Sequence, residues 1–209
     1  MLTRRRFVIA ITLALSLSLG SGAAKAAAAT PKDFIVKLAD TAMTTVAAKG
    51  LNDDERNTRF RTLFVENFDL AEIGKLVLGR HWRVATPQQQ NEFIKLFEDI
   101  QVYTWARRFK DYSGETMDVL SVTEETDGDV QVASRINRNH MDPINVVWRV
   151  RKSDDRLRVI DIKVEGASMA QTHRSEYSSV IQSSGGKVDG LLDAMRKKIA
   201  QLQAESATH

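Results

Sequence analysis

The sequence predicts an α+β fold: a four-stranded antiparallel meander with helices from both chain ends packed over its apolar face. Three observations carry this. Residues 116–164 alternate apolar and polar side chains with a period of two, and the stretches on either side repeat their apolar residues at helical spacing. The composition is that of a globular chain, since 209 residues with 43% hydrophobic, 27% charged, 11 Gly and 3 Pro exclude disordered, collagen-like and low-complexity classes.

The chain opens with an export signal rather than with structure. Arg4, Arg5 and Arg6 form a basic start, Phe7 to Leu19 is a largely apolar run of 13 residues, and small residues follow through Ala26. Thirteen apolar residues are too few to span a bilayer. The arginine pair before Phe7 is twin-arginine-like, and a general secretory signal with a basic start has the same outline. The expected organisation is a signal peptide over 1–26, one domain over 27–203 and a flexible tail over 204–209. Removing the four early cations, Arg4, Arg5, Arg6 and Lys25, from the 30 basic residues leaves 26 against 27 acidic ones, a net charge of −1. A nearly neutral body lacks the footprint of a nucleic-acid binder.

Each element has its own signal. Phe34, Ile35, Leu38, Met43 and Val46 mark a first amphipathic helix, and Phe60, Leu63, Phe64 and Phe68 mark a second beyond the polar break at Asn52 to Glu55. Asp69 with Glu72 caps a short helix carrying Ile73, Leu76 and Val77, which Gly79 ends. Thr86, Pro87 and Gln89 are a strong helix start: an N-cap hydroxyl, a proline in the first turn and a reciprocal cap three residues on. That helix is expected to run to about Ser113–Gly114. One stripe of it holds Phe93, Leu96, Phe97, Ile100 and Tyr103, and a second holds Trp105, Phe109 and Tyr112, so both sides are to be covered, either by protein on each or by a pocket on one.

In the meander, Val130, Val132, Ser134 and Ile136 share one face of a strand after the Asp127–Gly128 turn, and Ile144, Val146, Trp148 and Val150 share a face of the next. After the turn at Ser153 to Asp155, Ile160, Ile162 and Val164 continue the pattern. Arg135, Arg149 and Arg158 give the other face a basic character. Two further helices follow, Met169 to Gln182 and Lys187 to Gln203, separated by Gly185–Gly186.

Signals of catalysis are weak. Gly166-Ala167-Ser168-Met169-Ala170 has the strand-to-helix setting of a nucleophile elbow but lacks its second glycine, and Ser168 with Gln171 reads as a helix cap. The four histidines share no ligand spacing, and without cysteine there are no disulfides or thiolate sites, so no metal is expected. Arg80, His81 and Arg83, and later Arg107, Arg108 and Lys110, are basic groups that are either solvated faces or contacts for phosphate headgroups.

Several segments, taken together and in order, resemble a known family. Val77 to Gln90, containing Leu78-Gly79-Arg80 and Thr86-Pro87-Gln88-Gln89, is followed by Tyr112-Ser113-Gly114, Trp148-Arg149, Asp161 and Val164-Glu165-Gly166-Ala167-Ser168-Met169. Their order and spacing resemble the MlaC/toluene-tolerance family of periplasmic phospholipid-binding proteins over roughly Phe34 to Met195. A hopanoid-associated branch is also similar. The sequence departs from the commonest family pattern at Ala167, where a larger aliphatic residue is usual, and at Ser175-Glu176-Tyr177.

The resemblance implies a carrier without catalysis or cofactor. It implies a monomer that holds the acyl chains of a phospholipid between sheet and helices, shuttling it between an inner-membrane MCE-domain/ABC transporter complex and an outer-membrane lipoprotein complex, and so serving outer-membrane lipid asymmetry. The alternatives are a hopanoid-related carrier and a small lipid-modifying enzyme on the same scaffold. The family has no active-site motif to carry over, so lipid-binding residues are assigned by face. They are Phe97, Ile100 and Tyr103 on the long helix; Val132, Val146, Trp148, Ile160 and Ile162 on the strands; and Met169, Tyr177 and Ile181 on the helix after the sheet.

Overall fold

A computed structural model of the chain describes residues 29–153 and 155–207; the export signal expected over 1–26 lies outside the described residues. The meander is present as β1 (Thr116–Glu124), β2 (Val130–Arg138), β3 (Met141–Ser153) and β4 (Arg156–Val164), joined antiparallel in sequence order. The sheet has five strands rather than the expected four. β5 is only Ala167–Ser168, paired with Val164 and Lys163, and two residues are too few for an alternating pattern to register.

Strand register explains the inner face. Val132 stands opposite Trp148, Ser134 opposite Val146 and Ile136 opposite Ile144, so the expected stripes on β2 and β3 meet. On β4 the simple alternation fails. Trp148 pairs with Ile162 and Val150 pairs with Val159, leaving Ile160 in a bulge, so adjacent Val159 and Ile160 are both fully buried. The Val159 carbonyl accepts a 3.0 Å bond from the Asp69 amide where the chain leaves the second helix, so the bulge doubles as an anchor for the helical layer.

The caps read at Asp69, Thr86 and Ser168 are present, and two further caps, not among those expected, open the first helices. α1 (Pro31–Thr41) is capped by Thr30 and continues as a π-helical turn through Val46, and α2 (Asp53–Asn67) is capped reciprocally by Asn52 and Glu55. α3 (Leu70–Leu78) ends at Gly79. The chain turns there into a short α4 (Arg80–Val84) that periodicity does not reveal. Gly79 has φ +53°, and a Cβ on it would lie 2.6 Å from the Arg174 side chain, so glycine serves both the turn and the close approach of a later helix. α5 (Pro87–Arg108) has the expected Thr86/Gln89 box but tightens into a 3₁₀ turn over Phe109–Asp111, short of the expected end at Ser113–Gly114.

α6 (Met169–Ser183) starts at the Ser168 cap, whose hydroxyl accepts from the Gln171 amide. α7 (Val188–Ala207) runs past Ala204, where a flexible tail was expected, and Arg107 pairs with Glu205 at 2.8 Å across to α5. Two apolar clusters result. Phe93, Val77, Leu78, Ile181, Leu191 and Leu192 form one among the helices, whereas Ile35 and Leu38 of α1 press on Val132, Val150 and Val159 of the sheet to form the other.

Candidate functional site

Between these clusters the helices do not close on the sheet, and a cavity of about 350 Å³ remains. Its floor is the inner sheet face: Ile136, Ile144, Val146, Trp148, Ile160, Ile162 and Val164. α2 and the residue that ends it contribute one row of its roof through Phe60, Leu63, Phe64 and Phe68. Phe97, Gln101, Trp105 and Arg108 of α5, at i, i+4, i+8 and i+11, form a second row. Leu38, Ala39 and Ala42 of α1 close one side, and Met169, Ala170 and His173 of α6 close the other. The volume lies within the range of small-molecule sites, and a wall this apolar favours hydrocarbon at about 0.8 kcal/mol per methylene buried.

The few polar groups in the wall are turned toward each other. The Trp148 indole N–H donates to Ser134 Oγ at 2.9 Å, and that hydroxyl donates to the Val146 carbonyl at 3.1 Å, so the strand satisfies its own polar atoms. Trp105 donates to Gln101 Oε1 at 3.0 Å, which leaves the Gln101 amide nitrogen, 3.4 Å from His173 Nε2, as donor to that ring. His173 Nδ1 in turn lies 3.3 Å from Glu176 Oε2. Asp161 accepts from the Ser168 hydroxyl at 2.6 Å and from the Ile162 and Ala170 amides at 2.9 and 3.0 Å. Among the described residues, Arg56 Nε is a buried side-chain polar atom without a hydrogen-bond partner, whereas the buried Arg149 Nε and Glu125 Oε2 face each other as an ion pair at 3.0 Å, and none of the three residues lines the cavity.

Six of the eleven residues assigned by face come together in this cavity: Phe97, Val146, Trp148, Ile160, Ile162 and Met169. The other five do not line it. Ile100, Tyr177 and Ile181 pack into the helical cluster, because the side of α5 that carries Phe93 faces α6 and α7 rather than the sheet. Burial there pushes the Tyr177 phenol above its ordinary pKa, so it stays neutral. Tyr103 faces α7 and accepts from Gln203 at 3.0 Å. Val132 shares the inner face with Val146 but lies beneath α1.

The face assignment also left residues out. The α2 aromatics were visible as a stripe, yet nothing in the sequence says which layer that stripe covers. Gln101 and His173 carry no apolar signal, and only the fold brings them together across 72 positions.

The described residues hold one carboxylate group close enough to share a cation: Glu125, Asp127 and Asp129, away from the cavity. Arg149 lies 3.0 Å from Glu125 and 2.7 Å from Asp129, and Arg151 lies 2.6 Å from Asp129 and 2.9 Å from Glu72, so guanidinium groups already supply the positive charge. The Asp127 carboxyl is held below its ordinary pKa chiefly by the Asp129 amide, with Arg149 adding to the effect.

The model of the MlaC protein family matches residues 35–197, a span that includes all the cavity-lining elements. The chain belongs to the MlaC family. Among solved structures, this MlaC-family chain is similar to a phospholipid-binding protein from Ralstonia solanacearum determined in complex with a phospholipid. The two are 26% identical with a TM-score of 0.76, over 84% of this chain and 99% of that one. Among the described residues, no helix is long and apolar enough to cross a membrane.

Proposed function

We propose that this MlaC-family chain is a periplasmic phospholipid carrier that holds acyl chains in the cavity between sheet and helices and performs no catalysis. The observation that carries the reading is the apolar, roofed cavity of about 350 Å³, in a fold shared with a protein solved in complex with phospholipid. Within it, Phe97, Val146, Trp148, Ile160, Ile162 and Met169 are the lipid-contacting side chains, joined by the α2 aromatics. Non-enzymatic transfer fits the wall chemistry, since Ser168 is engaged by Asp161 and by the start of α6, while His173 is engaged by Gln101 and Glu176.

In this reading residues 1–26 direct export, the domain is a monomer, and its partners are the inner-membrane MCE-domain/ABC transporter and the outer-membrane lipoprotein complex. A ligand with tens of buried methylenes would leave a static cavity too slowly, so release needs a partner that moves the helices over the sheet. The test is mass spectrometry of an organic extract from chain purified without detergent. About one phospholipid per chain is expected. Repeated absence of lipid contradicts the reading, and hopanoid in its place assigns the cargo to the alternative.

A further inference from the structure

Beside the apolar cavity lies a second, open pocket of about 550 Å³ with a different chemistry. It is lined by Asp53, Thr104, Arg107, Arg108, Lys110, Asp111, Leu202 and Ser206, from the start of α2, the end of α5 and the end of α7. The two spaces share Arg108, which lines both. An apolar chamber adjoining a charged vestibule has the polarity profile of an amphiphile.

The charges in the vestibule sort into two kinds. Lys110 is neutralised by Asp53 at 2.6 Å, and Arg107 by Glu205 at 2.8 Å. That leaves one cation and one anion. Among the described residues Arg108 forms no salt bridge, and its guanidinium stacks over the Trp105 ring at 4.5 Å, so its position is fixed at the cavity wall while its charge remains unspent. Asp111, three residues on and at the end of the 3₁₀ turn, likewise has no salt bridge among the described residues. Side chains at i and i+3 of such a turn lie on the same side.

From this juxtaposition we infer that the vestibule is a headgroup subsite for a zwitterionic phospholipid, with Arg108 receiving the phosphodiester and Asp111 the amine. This inference rests on the phospholipid-carrier reading and goes beyond it by naming a headgroup class. A headgroup with phosphate and ammonium meets both unpaired charges. One that is anionic without an amine leaves Asp111 facing a like charge. Arg108 serves this role because its planar fork matches phosphate oxygens while its other face rests on the indole.

The test is competitive loading. The full chain is incubated with vesicles of equal parts phosphatidylethanolamine and phosphatidylglycerol, recovered, and its bound lipid quantified by mass spectrometry. Phosphatidylethanolamine should be enriched about threefold, the factor that exposed ion pairs are worth. Asp111→Asn should bring the ratio close to one, Asp111→Lys should reverse it, and Arg108→Gln should lower the retained amount of both lipids. Both positions are solvent-exposed, and thermal melts matching the parent confirm that the three variants fold. Lipid bound in full with one ratio across parent and variants overturns the headgroup subsite and leaves the carrier reading intact. A chain that takes up neither lipid overturns both.

Discussion

Val132 and Val146 sit on adjacent strands, on the same inner face of one sheet, and are 0% and 4% exposed, yet they face different things. Val132 lies against Ile35 and Leu38 of α1, in close-packed protein, whereas Val146 borders the cavity. The same division runs through α5, where Phe93 is buried among α6 and α7 while Phe97, one turn on, reaches the cavity wall. Burial alone therefore does not separate stability from function here. What separates them is whether the covering layer closes on the residue or stands off from it.

The largest expected effect is at the closed end. Val132→Glu places a carboxylate where neither partner nor water is available, at a cost of several kcal/mol from a total stability of about 5–15 kcal/mol. The variant should fail to accumulate or should lack a cooperative melt by circular dichroism. A folded Val132→Glu protein would show that α1 stands off from the sheet as well, and the contrast would collapse.

A smaller effect is expected at Ser134, which belongs to both regions: it is buried, and it holds the indole of a cavity residue. Ser134→Ala leaves the Trp148 N–H without its acceptor and should cost about 1–3 kcal/mol in denaturant unfolding. Lipid content should fall with it if Trp148 turns into the cavity in search of another acceptor. Unchanged stability would mean that the Trp148 N–H finds another partner at once, and that the serine does not position the ring.

How much of this was legible follows from the same contrast. Caps and stripes are local, so Thr86 with Gln89, Ser168 with Gln171 and the paired faces of β2 and β3 could be read from residue order. The bulge at Ile160 could not, because it depends on the Asp69 amide reaching Val159 from another element. Tyr103, Tyr177 and Ile181 show the limit for the site. Such residues are apolar enough to line a cavity, but α7 meets Tyr103 while Tyr177 and Ile181 pack into the helical cluster, and a stripe says that it is dry without saying what keeps it dry. Gln101 and His173 lay beyond periodicity altogether, since a polar pair in an apolar wall becomes meaningful only when the fold juxtaposes it.

The smallest effect concerns pH. Burial, followed by the adjacent Arg80 charge, holds the His81 imidazole below its ordinary pKa, and Arg80 Nε lies 3.4 Å from Nε2, an arrangement that suits the neutral ring. Below the ordinary histidine value of about 6.5 the unfolded chain binds a proton that the folded chain does not, so the stability from this group is present above that pH and is lost as pH falls through it. Unfolding midpoints between pH 7.5 and 5.5 should decline more in the parent than in His81→Gln. Equal slopes would place the acid sensitivity elsewhere.

The central claim is that the space above Val146 belongs to hydrocarbon. Val146→Glu tests it most directly, with circular dichroism for folding and mass spectrometry of the extracted lipid for occupancy. A carboxylate bordering an emptied cavity can be solvated by entering water, so the account predicts a variant that accumulates, melts cooperatively and carries no phospholipid. Folded Val146→Glu protein with a full complement of phospholipid would contradict it.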